Sequence, residues 1–418
     1  MEIMMKEEVV IVGGGVAGLA TALALKKVGV RALVLERSNE LRVKGAALTL
    51  FSNAWLALEA LGVAHKLTSI YAPYKGDAWL ATGPRAVHRR ALLESLIEEL
   101  PTDTIRYSSK LHSIETTTHK HHEAASSDVI LHLEDGTSIQ TKVLIGCDGV
   151  HSVVARWLGL KDVVHSGRYA VRGLGVFPEG HGLKHEVQQF VDKGRRFGIA
   201  PLTDKEVYWF MAYQPLPNKD DEMASGDPKL IQKSVLESVA DFPPVVLDVI
   251  QHSDTSSLTW APLMFRYPWD LIFGHLSKGT ITVAGDAMHP MTPDLGQGGC
   301  TALEDAVVLG RRIGNSFIRN RKMMSQEDLE REIEMYVKER RWRSAGLITA
   351  SYLAGWVQQG GGGGSSGVGW LMKFLRDSIF YKSIYRRIGG LVHYDCGKLP
   401  TVSTVPSEFE HDGHNKSD

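Results

Sequence analysis

An uncharged run near the start of the chain, VVIVGGGVAGLATALAL from Val9 to Leu25, narrows the possible folds more than any other stretch. It is a poor bilayer span, because a spanning helix needs about 20 apolar residues and each glycine inside a helix costs roughly 1 kcal/mol. The run divides instead into a buried strand, Val9 to Val12, a turn with Gly13-x-Gly15-x-x-Gly18, and a helix whose Leu19, Leu23 and Ala24 recur at helical spacing. Strand, glycine turn and helix in that order make the dinucleotide fingerprint. Gly13 permits the tight turn, Gly15 lets backbone N–H groups approach a pyrophosphate, and Gly18 lets helix pack on strand. The helix N-terminus then faces the phosphates. A second apolar strand, Ala32 to Leu35, ends at Glu36, about the spacing of an acid that binds a ribose hydroxyl.

A chain of 418 residues with 43% hydrophobic content can bury a large core, and its length suggests two or three domains. With 47 basic against 48 acidic residues, composition gives no support for a nucleic-acid partner. Cys147, Cys300 and Cys396 are odd in number and widely spaced, which predicts reduced thiols rather than a disulfide framework or a clustered zinc site. The first strand begins too early to leave room for a leader peptide, so the cytoplasm is the expected location. His119, His121 and His122 sit in a polar loop without fixed ligand geometry, and no metal is expected.

Along the chain, apolar spacing predicts helices from Phe51 to Leu61 and from Arg89 to Leu100, and a hairpin from Val129 through Asp135-Gly136 to Ile145. From Tyr169 to Tyr213 the texture becomes an antiparallel meander. Long helices are predicted from Thr301 to Arg312 and from Gln326 to about Leu353. The glycine-rich segment Gln358 to Gly369 reads as a flexible linker. Trp370 to Ile388 has the spacing of a basic amphipathic helix, which either covers a groove of its own protein or lies on a membrane surface as a peripheral contact. The tail from Pro400 is polar and expected to be disordered.

Two further segments carry chemistry. VLIGCDGVHSVVAR is a buried strand ending in Asp148-Gly149. GTITVAGDAMHPMTPDLGQGGCTALEDAVVLG is a strand ending in Gly285-Asp286, a proline-rich turn, then Gly296-x-Gly298-Gly299 before a helix. Asp286 at a strand's end is placed to accept a hydrogen bond from a ribityl hydroxyl, and Gly296 to Gly299 would expose N–H donors. Thr301-x-x-Glu304 reads as a capping box that starts the helix, whose positive end suits a ring system that gains negative charge on reduction. Asp294 either polarises a substrate or caps its turn, His289 reads as a turn residue rather than a base, and Arg42 either approaches such a ring system or is a solvated loop residue.

These three motifs in order resemble the single-component FAD-dependent aromatic hydroxylases, most closely the plant flavin monooxygenases related to zeaxanthin epoxidase and salicylate hydroxylase, and the FAD-dependent urate hydroxylases. The resemblance implies an α/β fold: a Rossmann-like three-layer ββα FAD-binding domain interleaved with an antiparallel-sheet substrate domain, plus C-terminal helices. It assigns 1–70, 86–165 and 279–353 to the FAD-binding domain, 71–85 and 166–278 to the substrate domain, 354–399 to a linker and C-terminal helix, and 400–418 to a tail. It also implies that Gly13, Gly15, Ala17 and Gly18 hold the pyrophosphate and Glu36 the ribose. Arg37, Thr49, Arg89 and Leu111 join the FAD set, while Asp286, Gly296, Gln297, Gly298 and Gly299 hold ribityl chain and ring. Arg196 and Tyr208 match the spacing of an arginine and a tyrosine that face the substrate in the urate hydroxylases.

By the same resemblance, NAD(P)H is a transient co-substrate without its own domain. The cofactor alone accounts for the reaction expected: reduced flavin and O₂ form a hydroperoxide that passes one oxygen to a small, electron-rich, aromatic substrate. Two other readings remain, an NAD(P)H oxidase-like flavoprotein and a non-catalytic escort protein on the same fold. The intact glycines of the first and third motifs speak against the escort.

Overall fold

The computed structural model describes residues 5–41, 47–74, 83–121, 124–192, 194–215, 224–320, 325–358 and 392–401. Arg42, most of the Gln358 to Gly369 linker, the Trp370 to Ile388 segment and the tail beyond residue 401 lie outside them.

β1 (Met5–Val12) turns through the glycines into α1 (Val16–Lys27), and β2 (Leu33–Leu35) lies parallel to β1 with Val10 opposite Leu33. Val9 to Val12 are buried throughout, as a parallel strand covered on both faces must be. β3 (Ala47–Leu50) leads into α2 (Ser52–Ala60) and α3 (Ala64–Thr68). β4 (Arg85–His88) pairs antiparallel with β3 and opens α4 (Arg89–Ile97). β5 (Ile105–Arg106) extends the parallel sheet beyond β2.

β6 (Leu111–His121) and β7 (Ala124–Leu133) form an antiparallel pair that joins β8 (Ser138–Gly146). The turn into β8 uses Asp135-Gly136, with Gly136 at φ +85° and the Leu133 N–H donating to Thr137 O. β8 runs parallel to β1, Val9 opposite Val143 and Val12 opposite Gly146, so the glycine turn and Asp148 emerge side by side. α5 (Val153–Trp157) follows.

The meander is β9 (Val164–Val176), β10 (Gln188–Asp192), β11 (Arg195–Pro201) and β12 (Glu206–Tyr213). After α6 (Pro228–Ser238) and α7 (Pro244–Gln251), β13 (Thr259–Phe265) completes a five-stranded antiparallel sheet in the order β10-β11-β12-β9-β13. One face of it, with Phe197, Trp209, Met211 and Tyr213, builds a core against Ile231 and Val235 of α6 and Val246 and Val249 of α7. Because strand side chains alternate, Arg196, Tyr208 and Ala212 point the other way, toward the parallel sheet.

The chain returns through α8 (Pro268–Phe273), β14 (Ser277–Lys278) and β15 (Ile281–Val283), which pairs parallel with β8, before α9 (Gly298–Arg319) and α10 (Gln326–Gln358). Both last helices exceed their predicted limits, and α9 corrects one expectation. It begins at Gly298, with Thr301 N–H donating to Gln297 O, so Thr301 and Glu304 lie inside the helix and form no capping box. Glu304 is drawn instead to arginines of α10. No described helix is long and apolar enough to cross a membrane.

Candidate active site

Three strand ends meet where β1, β8 and β15 finish side by side. Gly13 has φ +106°, and a Cβ built there would stand 2.4 Å from Cys147 O, so the first turn lies directly on the strand end that carries Asp148. A Cβ on Gly18 would collide with Gly13 O, whereas one on Gly15 would meet no atom within 4 Å. Close packing therefore requires two of the glycines, and the third leaves open space over its backbone. α1 starts here with no side-chain cap, so its first N–H groups stay available to an anion.

Glu36 braces this turn. Its Oε2 accepts from Gly14 N–H at 2.8 Å and its Oε1 from Ser38 N–H at 2.9 Å. Arg37 beside it is exposed. Leu111 is buried at the head of β6, where Ser109 N–H donates to Glu36 O. Asp148, expected only as a strand-end marker, accepts from Val153 N–H at 2.7 Å at the start of α5, whose N-cap is Ser152.

The third corner reaches the first. Gly285 (φ +59°) would place a Cβ 2.7 Å from that of Ala17 in α1. Asp286 is exposed between buried Gly285 and Ala287. The protein around it desolvates its carboxyl and raises its pKa, while His289, Arg89 and Arg172 pull in the opposite direction. Gly298 stands beside Asp286, Gly299 beside Leu48 of β3, and Gly296 (φ +64°) beside Phe51 and the Thr49 carbonyl. Arg89, at the first position of α4, bears on Asp286 from the β4 side.

Gln297 precedes α9 with no side-chain capping bond; its Oε1 accepts from Asn53 Nδ2 at 2.9 Å and its Nε2 is buried without a partner. An uncovered glycine turn at one end and an orphaned buried donor beside paired glycines at the other fit the pyrophosphate and polar ring edge of FAD.

A buried ionic network holds the third corner in shape, and the motif reading missed it. Asp305 Oδ2 accepts from Gly285 N–H at 2.8 Å and lies 2.6 Å from His289 Nε2, while Arg340 Nε donates to Oδ1 at 2.7 Å. Burial alone would raise the Asp305 carboxyl; His289 and Arg340 overcome that and bring it down to about 2. Arg340 Nη2 also reaches Glu304 Oε2 at 2.6 Å, and Asn53 Nδ2 reaches Glu304 Oε1 at 2.6 Å. His289 is thus a pin for the turn, as expected of a turn residue. The signal was present in the sequence: two adjacent acids in the otherwise apolar helix TALEDAVVLG need cations from elsewhere.

Above this floor lies the arginine-bearing face of the meander sheet. Register pairs Ala200 with Tyr208, Gly198 with Phe210 and Arg196 with Ala212, and carries the face on to Leu174, Arg172 and Ala170 of β9. Arg196 and Tyr208 therefore share one face, both buried. Asp294 neither caps its turn nor stands alone: its Oδ1 accepts from Arg168 Nη1 at 3.0 Å and Arg196 Nη1 at 3.1 Å, and its Oδ2 from Arg168 Nη2 at 2.7 Å. Arg196 also donates to Gln189 Oε1 and lies over the Phe210 ring. Gly355 of α10 closes over the cluster so tightly that a Cβ would come 2.3 Å from Arg168 Nη1 and Asp294 Oδ2. The spacing argument did not find Arg168 or Arg172.

Comparison with known proteins agrees with this geometry. Residues 6–350 match the family model described as an FAD binding domain. The chain is 38% identical to Monooxygenase 2 of Arabidopsis thaliana, over 94% of this chain and 98% of that one. It is 27% identical to an FAD-dependent urate hydroxylase of Mycolicibacterium vanbaalenii, over 72% of this chain and 78% of that one. Among solved structures, Klebsiella pneumoniae HpxO complexed with FAD and uric acid has a TM-score of 0.72 at 22% identity, covering 94% of this chain and 97% of its own. A salicylate hydroxylase substrate complex has a TM-score of 0.65 at 20% identity, covering 96% and 99%. At these identities the likeness to the solved structures is one of fold.

Proposed function

This chain belongs to the FAD binding domain family, among its FAD-dependent monooxygenases, and we propose that it inserts one oxygen atom of O₂ into a small aromatic acid or phenol, with NAD(P)H as reductant. The observation that carries this reading is the meeting of three glycine-and-acid corners, Gly13 with Cys147, Ala17 with Gly285 and Gly298 with Asp286, beneath a sheet face bearing Arg172, Arg196 and Tyr208.

In this reading Gly13 to Gly15 and the N-terminus of α1 receive the pyrophosphate, and Glu36 the adenosine ribose. Asp286 accepts a hydrogen bond from the ribityl chain. Gly298 and Gly299, at the positive end of α9, present N–H donors where the ring becomes electron-rich. When bound, FAD supplies the transfer of electrons from NAD(P)H and the activation of O₂. Tyr208, Phe210 and Ala200 form an apolar ceiling that excludes water from the reacting face. The small-molecule substrate enters between ceiling and floor, and His289 stays in the Asp305 network without acting as a base.

The test is a screen of aromatic acids and phenols that follows NADPH oxidation together with product mass and peroxide. Substrate-stimulated oxidation that yields a product heavier by one oxygen supports the proposal. Oxidation that yields peroxide alone across the screen identifies an oxidase instead.

A further inference from the structure

We propose that the outer face of α10 from Trp342 to Trp356 is a docking seam for the chain's own segment Trp370 to Ile388, which returns antiparallel along it.

α10 packs one side on α8, α9 and the Asp294 turn and presents the other to solvent. On that outer side Trp342, Gly346, Thr349, Leu353 and Trp356 are all exposed and recur at steps of four, three, four and three, the spacing of a helix with another helix alongside. None of the five carries a charge, and Trp342 is 67% exposed and Leu353 51%. An apolar stripe of this length facing water marks a surface that something covers. α8 widens it: Arg341 Nη1 donates to Ile272 O at 2.6 Å, and the next residue of α8, Phe273, is 82% exposed. Gly346 has no atom within 4 Å of a built Cβ, so the stripe is notched at its middle.

The chain supplies a complement. Leu371, Phe374, Ser378, Tyr381, Tyr385 and Ile388 recur at steps of three, four, three, four and three. Laid antiparallel, Leu371 would face Trp356, Phe374 would face Leu353, Ser378 would face Thr349, Tyr381 would face Gly346, and Tyr385 would face Trp342. Apolar then meets apolar, hydroxyl meets hydroxyl, and the Tyr381 ring has the glycine notch to enter. As helices, both stripes run about 21 Å from first contact to last.

The two ends of the segment set its direction. α10 ends at Gln358, just beyond Trp356, and the glycine-rich stretch Gln358 to Gly369 has a reach of roughly 20 Å, ample for a reversal. The described chain resumes at Val392, whose carbonyl accepts from Ser52 Oγ at 2.7 Å. Tyr394 then donates from Oη to Glu339 Oε1 at 2.9 Å, with the Arg343 guanidinium 4.2 Å from its ring centre. The chain thus leaves α10 at the Trp356 end of the stripe and rejoins it at the Trp342 end. An antiparallel passage along the helix connects the two.

The test places cysteines at Thr349 and Ser378 of the full-length, FAD-loaded chain and follows disulfide formation in a glutathione redox buffer by peptide mass. The comparison pair is Thr349→Cys with Arg376→Cys, nearly the same tether length but the opposite face of the segment. Thr349→Cys/Ser378→Cys should close within one chain at least about tenfold faster than the comparison pair, with FAD content unchanged, and adding Leu353→Asp should remove that advantage. Equal rates for the two pairs overturn the inference. A disulfide between two chains from Thr349→Cys alone overturns it in favour of a second copy on this face. Co-sedimentation of the wild type with phosphatidylcholine–phosphatidylserine vesicles that Leu353→Asp abolishes overturns it in favour of a membrane surface.

Discussion

Gly13 and Gly15 are two residues apart in one motif, yet their backbones face opposite demands. At Gly13 a methyl group would meet the Cys147 carbonyl, main chain on main chain, at a φ that side chains rarely adopt. Gly13→Ala should cost about 1–3 kcal/mol from overpacking alone, seen as a lowered melting temperature of the apoprotein as well as lost FAD. At Gly15 the φ is −86° and no protein atom lies within 4 Å of a built Cβ. Gly15→Ala should leave the apoprotein's melting temperature unchanged and weaken FAD binding, measured by flavin fluorescence titration; a destabilised apoprotein would show that the open space is needed by the fold. Asp286, exposed between buried neighbours, is expected to hold the cofactor rather than the chain. Asp286→Ala should purify without the yellow absorbance of flavin and melt near the wild-type apoprotein, and stoichiometric flavin in that variant would remove the residue from the site.

Helix α9 shows how a local signal can be right in type and wrong in position. Thr301-x-x-Glu304 has the spacing of a cap, but the glycines before it continue the helix to Gly298, and Thr301 Oγ1 is left buried without a partner. Replacing a true N-cap costs about 1 kcal/mol. Here Thr301→Val should be neutral or stabilising in a denaturant melt, because it removes an unsatisfied hydroxyl at similar volume. The acids that follow bind α9 to α10. With its carboxyl at about 2 against an ordinary 3.8, Asp305 stabilises the folded chain above about pH 4, and this contribution fades as pH falls toward 2. The difference corresponds to about 2 kcal/mol. Asp305→Asn should therefore be less stable at neutral pH, where His289 loses its carboxylate partner and Arg340 one of its two, and should show a shallower loss of urea midpoint between about pH 4 and pH 2. An unchanged slope would mean that the carboxylate is not ionised in the fold.

At the scale of the whole molecule, what was legible in the sequence is what neighbours in the chain determine. Each corner is a strand end marked by glycine, with its acid either adjacent, as at Asp148 and Asp286, or at the end of the next strand, as at Glu36, and the meander shows as alternation, so the α/β fold and its three corners could be read directly. The roof could not. Arg168 meets Asp294 across 126 positions and Arg340 meets Asp305 across 35, and an arginine in a strand or an amphipathic helix reads locally as a solvated residue. Packing of the sheet face on the Asp294 turn reveals Arg168 as buried, and packing of α10 on α9 does the same for Arg340.

That packing makes Asp294 the electrostatic joint between the antiparallel sheet and the parallel one, and its role can be separated from contact with a substrate. If it serves to neutralise Arg168 and Arg196, Asp294→Ala leaves two buried cations and should cost about 3–5 kcal/mol, seen as a lower denaturant midpoint in FAD-loaded protein. Removing the cations as well, with Arg168→Met and Arg196→Met, should recover most of that stability, because methionines fill similar volume and need no carboxylate. The triple variant should retain FAD, since Gly13, Gly18 and Gly285 are packed against Cys147, Gly13 O and Ala17 and not against this cluster. A triple variant as unstable as Asp294→Ala would show that the aspartate stabilises the turn through its own backbone geometry, and the sheet would then be held in place by other contacts, among them Tyr74 Oη donating to Pro201 O.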